Sequence, residues 1–327
     1  MRSAAFPAVA ALALLAGCAT APRPPHPPPT PAPLWIDLVR GEEVPDREVL
    51  ADLAGAGVIF VGEAHTVAGH HTLQRQLLQS LHARGVPLTL GLEQLEARDQ
   101  PAIDRYLGGE LDFDGLAQAI DWPGKWRNYA DYRPLCEFAR QHRIPIRGLN
   151  APAAVIRAVF RGGGVAALPP DQRAQLPAEI LLDDPDYERL MRLELAVHAA
   201  ADATTLRPMF EAQAARDDAM AAQIVAARTT GAGPPRTVLA VMGAGHMRYG
   251  LGTAARVRRR DPTIVDRLVL VTIPTPVTLS AEEKAASREV SITHGSLREL
   301  ARPPADYLRV LPRTARPLPP GHPPIPE

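Results

Sequence analysis

Val58-Ile59-Phe60-Val61-Gly62-Glu63-Ala64-His65, an apolar run that stops at a glutamate and a histidine, decides the fold of this chain. A short continuous apolar run between helical stretches reads as a strand buried on both faces, the habit of a parallel sheet covered by helices. The pattern recurs three times. Leu88-Thr89-Leu90-Gly91-Leu92 leads into Glu93-Gln94, residues 144–149 lead into Asn150, and residues 238–243 lead into Gly245-His246. Helical stretches over 69–84 and 96–107, then a loop region and a further helix, separate the first three runs. That alternation implies βαβ units with right-handed crossovers. Residues 151–233 offer helices and turns but no convincing strand, and strands resume at 237–243, 267–273 and 307–311. The expected fold class is α/β: a mostly parallel sheet flanked by helices, with a helical insertion subdomain at about 151–233.

In such sheets ligands bind in the crevice outside the carboxyl ends of the strands. Glu63, His65, Glu93, Asn150 and His246 are therefore expected to meet at one edge, although they are distant in sequence. Two glutamates and two histidines suit three tasks: binding a divalent metal, general acid–base work, or lining a cofactor pocket. Spacing does not choose among them, since Glu63-x-His65 lacks the helical i,i+4 histidine pair of a zincin. His70 and His71 open the following helix, whose N-terminus favours anions. Solvent exposure is the expectation for each singly, with one of the two turned to the crevice.

Two further segments carry chemistry. In Gly245-His246-Met247-Arg248-Tyr249-Gly250 a tyrosine sits beside an arginine directly after a site-edge strand. The cation favours the phenolate, and phenolate is one of the axial ligands of haem iron. A helix over 204–227 has the apolar stripe Leu206, Phe210, Met220 and Ile224, broken by Gln213 and Asp217. Burying two polar groups requires partners, so this helix belongs either to a hydrogen-bond network or over a polar site. Glu194 and His198, four apart in the preceding helix, read as a surface pair.

Composition bounds the rest. The 327 residues carry a formal net charge of +0, which gives no steering toward nucleic acid, and only 5% are aromatic, so Ala, Leu and Val make the core. Arg2, the apolar stretch 8–15 and Leu15-Ala16-Gly17-Cys18 form a signal peptide (1–18) too short to span a bilayer and ending in a lipobox. Cys18 is then the lipidated residue, and Ala19 after it favours the outer membrane, with the domain facing the periplasm or the surface. Residues 19–33 are a Pro-rich tether, 34–311 the folded domain, and 312–327 a Pro-rich disordered tail. With Cys18 lipidated, Cys136 has no disulfide partner and reads as a small buried hydrophobe.

At these residues the chain resembles the ChaN family of haem-binding lipoproteins, itself similar to the wider Tiki, TraB and erythromycin-esterase-like superfamily. The matching features run in order. They are Val61-Gly62-Glu63-Ala64-His65-Thr66, Gly91-Leu92-Glu93-Gln94, Trp126 with Tyr129, Ile144 to Pro152, Ala212-Gln213 with Arg216 to Ala221, Gly243-Ala244-Gly245-His246, and Ala305-Asp306-Tyr307-Leu308. The resemblance implies an outer-membrane lipoprotein of haem or iron acquisition, with haem near the strand carboxyl ends. It implies Tyr249 as iron ligand, Arg248, His246, His65, Glu63 and Glu93 around the cofactor, a homodimer, and an outer-membrane haem receptor as partner. Gly250-Leu251-Gly252-Thr253 departs from the family's Gly-Ile-Pro-like turn. The hydrolase-like relatives imply the alternative: a metal-dependent hydrolase of a small ester or amide, with Glu63, His65 and His246 as ligands and Glu93 as base.

Overall fold

All four apolar runs become neighbouring parallel strands in the computed structural model, described over residues 34–196, 203–229, 233–272 and 302–311. The expected signal peptide with Cys18, the expected tether and C-terminal tail, His198 and the Glu194 side chain lie outside what is described. Among the described residues there are eight strands: β1 Leu34–Asp37, β2 Glu42–Val44, β3 Val58–Glu63, β4 Leu88–Glu96, β5 Ile146–Asn150, β6 Thr237–Gly243, β7 Asp266–Val271 and β8 Tyr307–Val310. The α-helices are α1 Asp46–Ala54, α2 Ala68–Ala83, α3 Gln100–Gly108, α4 Phe113–Ala119, α5 Trp122–Lys125 and α6 Arg133–Gln141. They continue with α7 Ala153–Gly162, α8 Pro170–Arg173, α9 Pro185–Ala196, α10 Ala203–Arg228 and α11 Gly252–Arg260. Their order in the sheet is β2-β1-β8-β7-β3-β6-β4-β5. From β8 to β5 every pairing is parallel; β1 and β2 add an antiparallel edge that the sequence reading did not anticipate.

Side chains alternate across a strand, and that alternation sorts the core into two layers. Ile59, Val61, Leu90, Leu92, Leu239 and Val241 face α2, α3 and α6, where Leu77, Leu81, Ile103 and Leu135 meet them. Val58, Phe60, Val238, Ala240 and Met242 face the other way, onto Met220 and Ile224 of α10 and Val257 of α11. Each such side chain contributes about 1.5–3 kcal/mol by leaving water. The described parts of residues 151–233 hold helices, turns and loops and no strand, and α10, the last helix there, lies directly on the sheet, burying Phe210, Met220 and Ile224 as the stripe requires.

Cys136 is fully buried in the first layer. Burial, with Glu137 beside it, pushes its thiol up to about 12. Cys136 should therefore stay unreactive toward a thiol reagent such as 5,5′-dithiobis(2-nitrobenzoate) until denaturant is added. Labelling in the native protein at the rate of an exposed thiol would contradict this packing.

Candidate functional site

Strand alternation sends the two glutamates to opposite faces of the sheet. Glu63 follows Ile59 and Val61 into the layer beneath α2 and α6, whereas Glu93 follows Thr89 and Gly91 toward α10. They share one end of the sheet, and the register of β4 against β5 shifts between Leu92 and Glu96 there. The expected gathering of Glu63, His65, Glu93, Asn150 and His246 is thus present, as two half-sites back to back.

In the first half-site Glu63 is buried and accepts from four side chains. The Tyr132 hydroxyl (2.5 Å), Gln94 Nε2 (2.9 Å) and His65 Nδ1 (2.7 Å) reach Oε1, and Gln74 Nε2 (2.5 Å) reaches Oε2. Burial alone would raise the Glu63 pKa; the bonds from His65, Tyr132 and Gln74 outweigh it and hold the carboxylate ionised. His65 remains 35% exposed at its side chain, with the edge of Trp126 against it at 4.9 Å between centroids. Burial pulls its pKa down, and the Glu63 bond turns the balance upward. A methyl group at Gly243 would lie 3.0 Å from His65 Nε2, so the imidazole packs tightly on the β6 terminus and a side chain there would push it aside.

The second half-site is a buried charge relay. Gly243 N–H donates to Glu93 Oε2 (2.7 Å), His246 Nε2 lies 3.3 Å from Oε1, and Asn150 Nδ2 donates to the Glu93 carbonyl (3.0 Å). One residue thereby ties the ends of β4, β5 and β6. His246 Nδ1 donates to Asp217 (2.6 Å), which also accepts from the Tyr187 hydroxyl (2.6 Å) and Thr253 (2.7 Å). The Gln213 amide lies 3.0 Å from His246 Nδ1. The two polar breaks in the α10 stripe therefore do both jobs foreseen: they join helix to sheet and hold a site residue. Burial would push Glu93 up and His246 down; their mutual charge, with Asp217 beside the imidazole, reverses both, to about 2 and about 10.

Two expectations need correction. His70 and His71 are both buried rather than exposed. His70 is a neutral clip, accepting from Ala64 N–H (3.0 Å) at Nδ1 and donating from Nε2 to the Thr272 carbonyl (3.1 Å); burial lowers its pKa. His71 donates from Nε2 to the His65 carbonyl (2.9 Å) and so props the exposed histidine. The expected metal set Glu63, His65 and His246 is not assembled: the oxygens of Glu63 are taken by four donors and His246 is held between Asp217 and Glu93. Among the described residues no three of His, Cys, Asp or Glu are arranged to hold a metal ion.

Tyr249 leaves this network. It is half-buried in a left-handed turn (φ 60°, ψ 16°), and its N–H donates to the Pro304 carbonyl (3.0 Å) just ahead of β8. Gly250 and Gly252 beside it also have positive φ, so this run turns without the family's proline. Tyr132, Gln74, Tyr187 and Thr253 carry the network yet had no sequence signal, because nothing local marks a polar helix residue as inward-facing.

Comparison with known proteins bears on the same residues. The family model described as haem-binding uptake, Tiki superfamily, ChaN matches residues 49–257, well over half of the chain. Among solved structures, ChaN of Campylobacter jejuni with cofacial haem is 15% identical at a TM-score of 0.61, over 85% of this chain and 96% of that one. The erythromycin esterase EreC is 12% identical at a TM-score of 0.42, over 75% of this chain and 80% of that one. A comparison with curated proteins returns no match. The fold is similar to that of the first of these structures, and the family match spans both half-sites: this chain belongs to the ChaN haem-binding uptake family of the Tiki superfamily.

Proposed function

We propose that this protein binds haem at the carboxyl-end edge of its sheet, with Tyr249 as the axial ligand to iron. The observation that carries the reading is Tyr249 itself. A non-glycine residue in the left-handed region costs about 1–2 kcal/mol, and such strain persists where function needs it. Here it holds a half-buried tyrosine beside Arg248 in the loop that follows a central strand, in a chain of a haem-binding family. Arg248 offers a cation to a propionate, and His65, the half-exposed member of the strand-end cluster, is the polar side chain open to the ligand. Bound haem supplies an iron centre for which phenolate is an anionic ligand.

Titrating haemin into the purified protein should shift the Soret band, and Tyr249→Phe should abolish that shift. Tyr249→Gly should lose it equally while keeping or raising the melting temperature, because glycine removes the backbone strain. A Soret band unchanged in Tyr249→Phe would refute the ligand assignment. The proposal extends to a lipid anchor on Cys18 in the outer membrane, a second copy covering the haem, and a haem receptor as source. Incorporation of labelled fatty acid that Cys18→Ser does not prevent would refute the anchor.

One observation favours a second reading. An exposed imidazole backed by a buried carboxylate, His65 on Glu63, is the arrangement of a general base for a small ester or amide. Glu93, the base expected from sequence, is held ionised by His246 and is a poor proton acceptor. Turnover of p-nitrophenyl acetate that disappears in His65→Ala would support hydrolysis; turnover unaffected by it would end this reading.

A further inference from the structure

We infer that the crevice between α5, the β5 terminus and helices α7 and α10 binds an amphipathic carboxylate. Two cavities adjoin there. One, of about 420 Å³, is lined by Glu96, Lys125, Trp126, Asn150, Arg157 and Arg216. The other, of about 290 Å³, is lined by Ile156, Phe160, Met191 and Met209 together with Gln213 and the same two arginines. A polar half and an apolar half thus meet at a pair of guanidinium groups, the layout that an anionic head on an apolar body requires.

The charges of the polar half leave those two arginines over. Glu96 accepts from Arg98 and from the Ala153 N–H (2.9 Å), and Lys125 lies 3.5 Å from it and 3.1 Å from Asp99. Arg98 and Lys125 are therefore spent. Asp121, the remaining carboxylate of the lining, is exposed at the surface. Among the described residues neither Arg157 nor Arg216 has a carboxylate within ion-pair distance; the charge of Arg216 reaches Glu93, whose oxygens are engaged by Gly243 and His246.

Among the described residues, two buried polar atoms of the lining have no hydrogen-bond partner: Arg216 Nε and Asn150 Oδ1. Asn150 is only 8% exposed, and its Nδ2 is already committed to the Glu93 carbonyl. Buried donors and acceptors in folded proteins are nearly always paired, so an orphaned donor and an orphaned acceptor in the lining of one cavity mark a place where something polar belongs. A carboxylate oxygen satisfies Arg216 Nε, the exposed Arg157 adds a second charged donor, and Asn150 Oδ1 takes an O–H or N–H that accompanies the ligand. Phe160, 41% exposed, offers the face on which the apolar body lies.

A fatty carboxylate and the propionate-bearing haem ring share this chemistry, and the experiment separates them. Octanoate, methyl octanoate and haemin are titrated calorimetrically into the full chain and into Arg157→Gln and Arg216→Gln. Arg157 is exposed, so its replacement leaves folding intact. Octanoate is expected to bind and methyl octanoate not to, with each arginine variant weakening the acid about ten- to a hundredfold. If Arg157→Gln instead weakens haemin by that factor, the carboxylate is a haem propionate. If octanoate binding survives Tyr249→Phe while the Soret shift is lost, the crevice is a second site. Equal binding of acid and ester, or no dependence of octanoate and haemin on both arginines, overturns the inference.

Discussion

Glu63→Ala should lower the unfolding free energy by about 3–5 kcal/mol, because removing one member of a buried ionic network strands the others. Tyr132, Gln74 and Gln94 would each keep a buried donor without an acceptor, at about 1–3 kcal/mol apiece before relaxation. For a domain of this size the melting temperature should fall by roughly 5–9 °C. Circular dichroism during heating measures it. Glu63→Gln should fall between the two, since the amide keeps one acceptor oxygen for Tyr132. A loss below about 1 kcal/mol in Glu63→Ala would mean that the network is decorative. The same carboxylate links stability to acid: its folded pKa lies below the ordinary value, so its contribution is complete above that value and fades as pH falls through the folded one.

The second large effect belongs to His246. His246→Ala leaves Glu93 and Asp217 facing each other as uncompensated buried carboxylates, and about 3–5 kcal/mol should be lost. The pH profile of the unaltered protein has a definite sign. The His246 pKa rises from an ordinary 6.5 to about 10, so its stabilisation is complete below 6.5 and is lost as pH climbs toward 10. The Glu93 pKa falls from 4.5 to about 2, so its stabilisation is complete above 4.5 and is lost on acidification toward 2. Maximum melting temperature is therefore expected between about pH 4.5 and 6.5, with a decline on either side. In His246→Ala the alkaline decline should flatten, and the variant should gain relative stability on acidification, where Glu93 can protonate. An alkaline limb of unchanged steepness in His246→Ala would remove His246 as its cause.

Much of this was legible in the chain. The strands β3, β4 and β6 announce themselves because a strand covered on both faces is apolar almost throughout, as Val58–Val61 and Val238–Met242 are, whereas β5, β7 and β8 carry Arg147, Arg267 and Arg309 and are marked only by the apolar residues around them. The end of each run was equally legible, since apolar character stops where the backbone leaves the sheet. The edge strands β1 and β2 were not, because Glu42-Glu43-Val44 is a short, half-solvated edge without an apolar run. His70 and His71 misled for a related reason: a histidine at a helix start is ordinarily solvated, and only the close approach of Thr272 and His65 buries this pair.

By itself the sequence determined the parallel sheet and placed Glu63, His65, Glu93, Asn150 and His246 at its carboxyl end, because a period of apolar residues is a local property that any window of chain exposes. Only the tertiary structure decided that the glutamates lie on opposite faces, that Tyr132, Gln74, Asp217 and Tyr187 saturate the network, and that Arg157 and Arg216 have no carboxylate partner among the described residues. Those outcomes depend on which helix lies over which strand end. Hydrogen-bond and charge partners are fixed by distances of about 3 Å between groups far apart in sequence, and no local pattern of residues encodes such a distance.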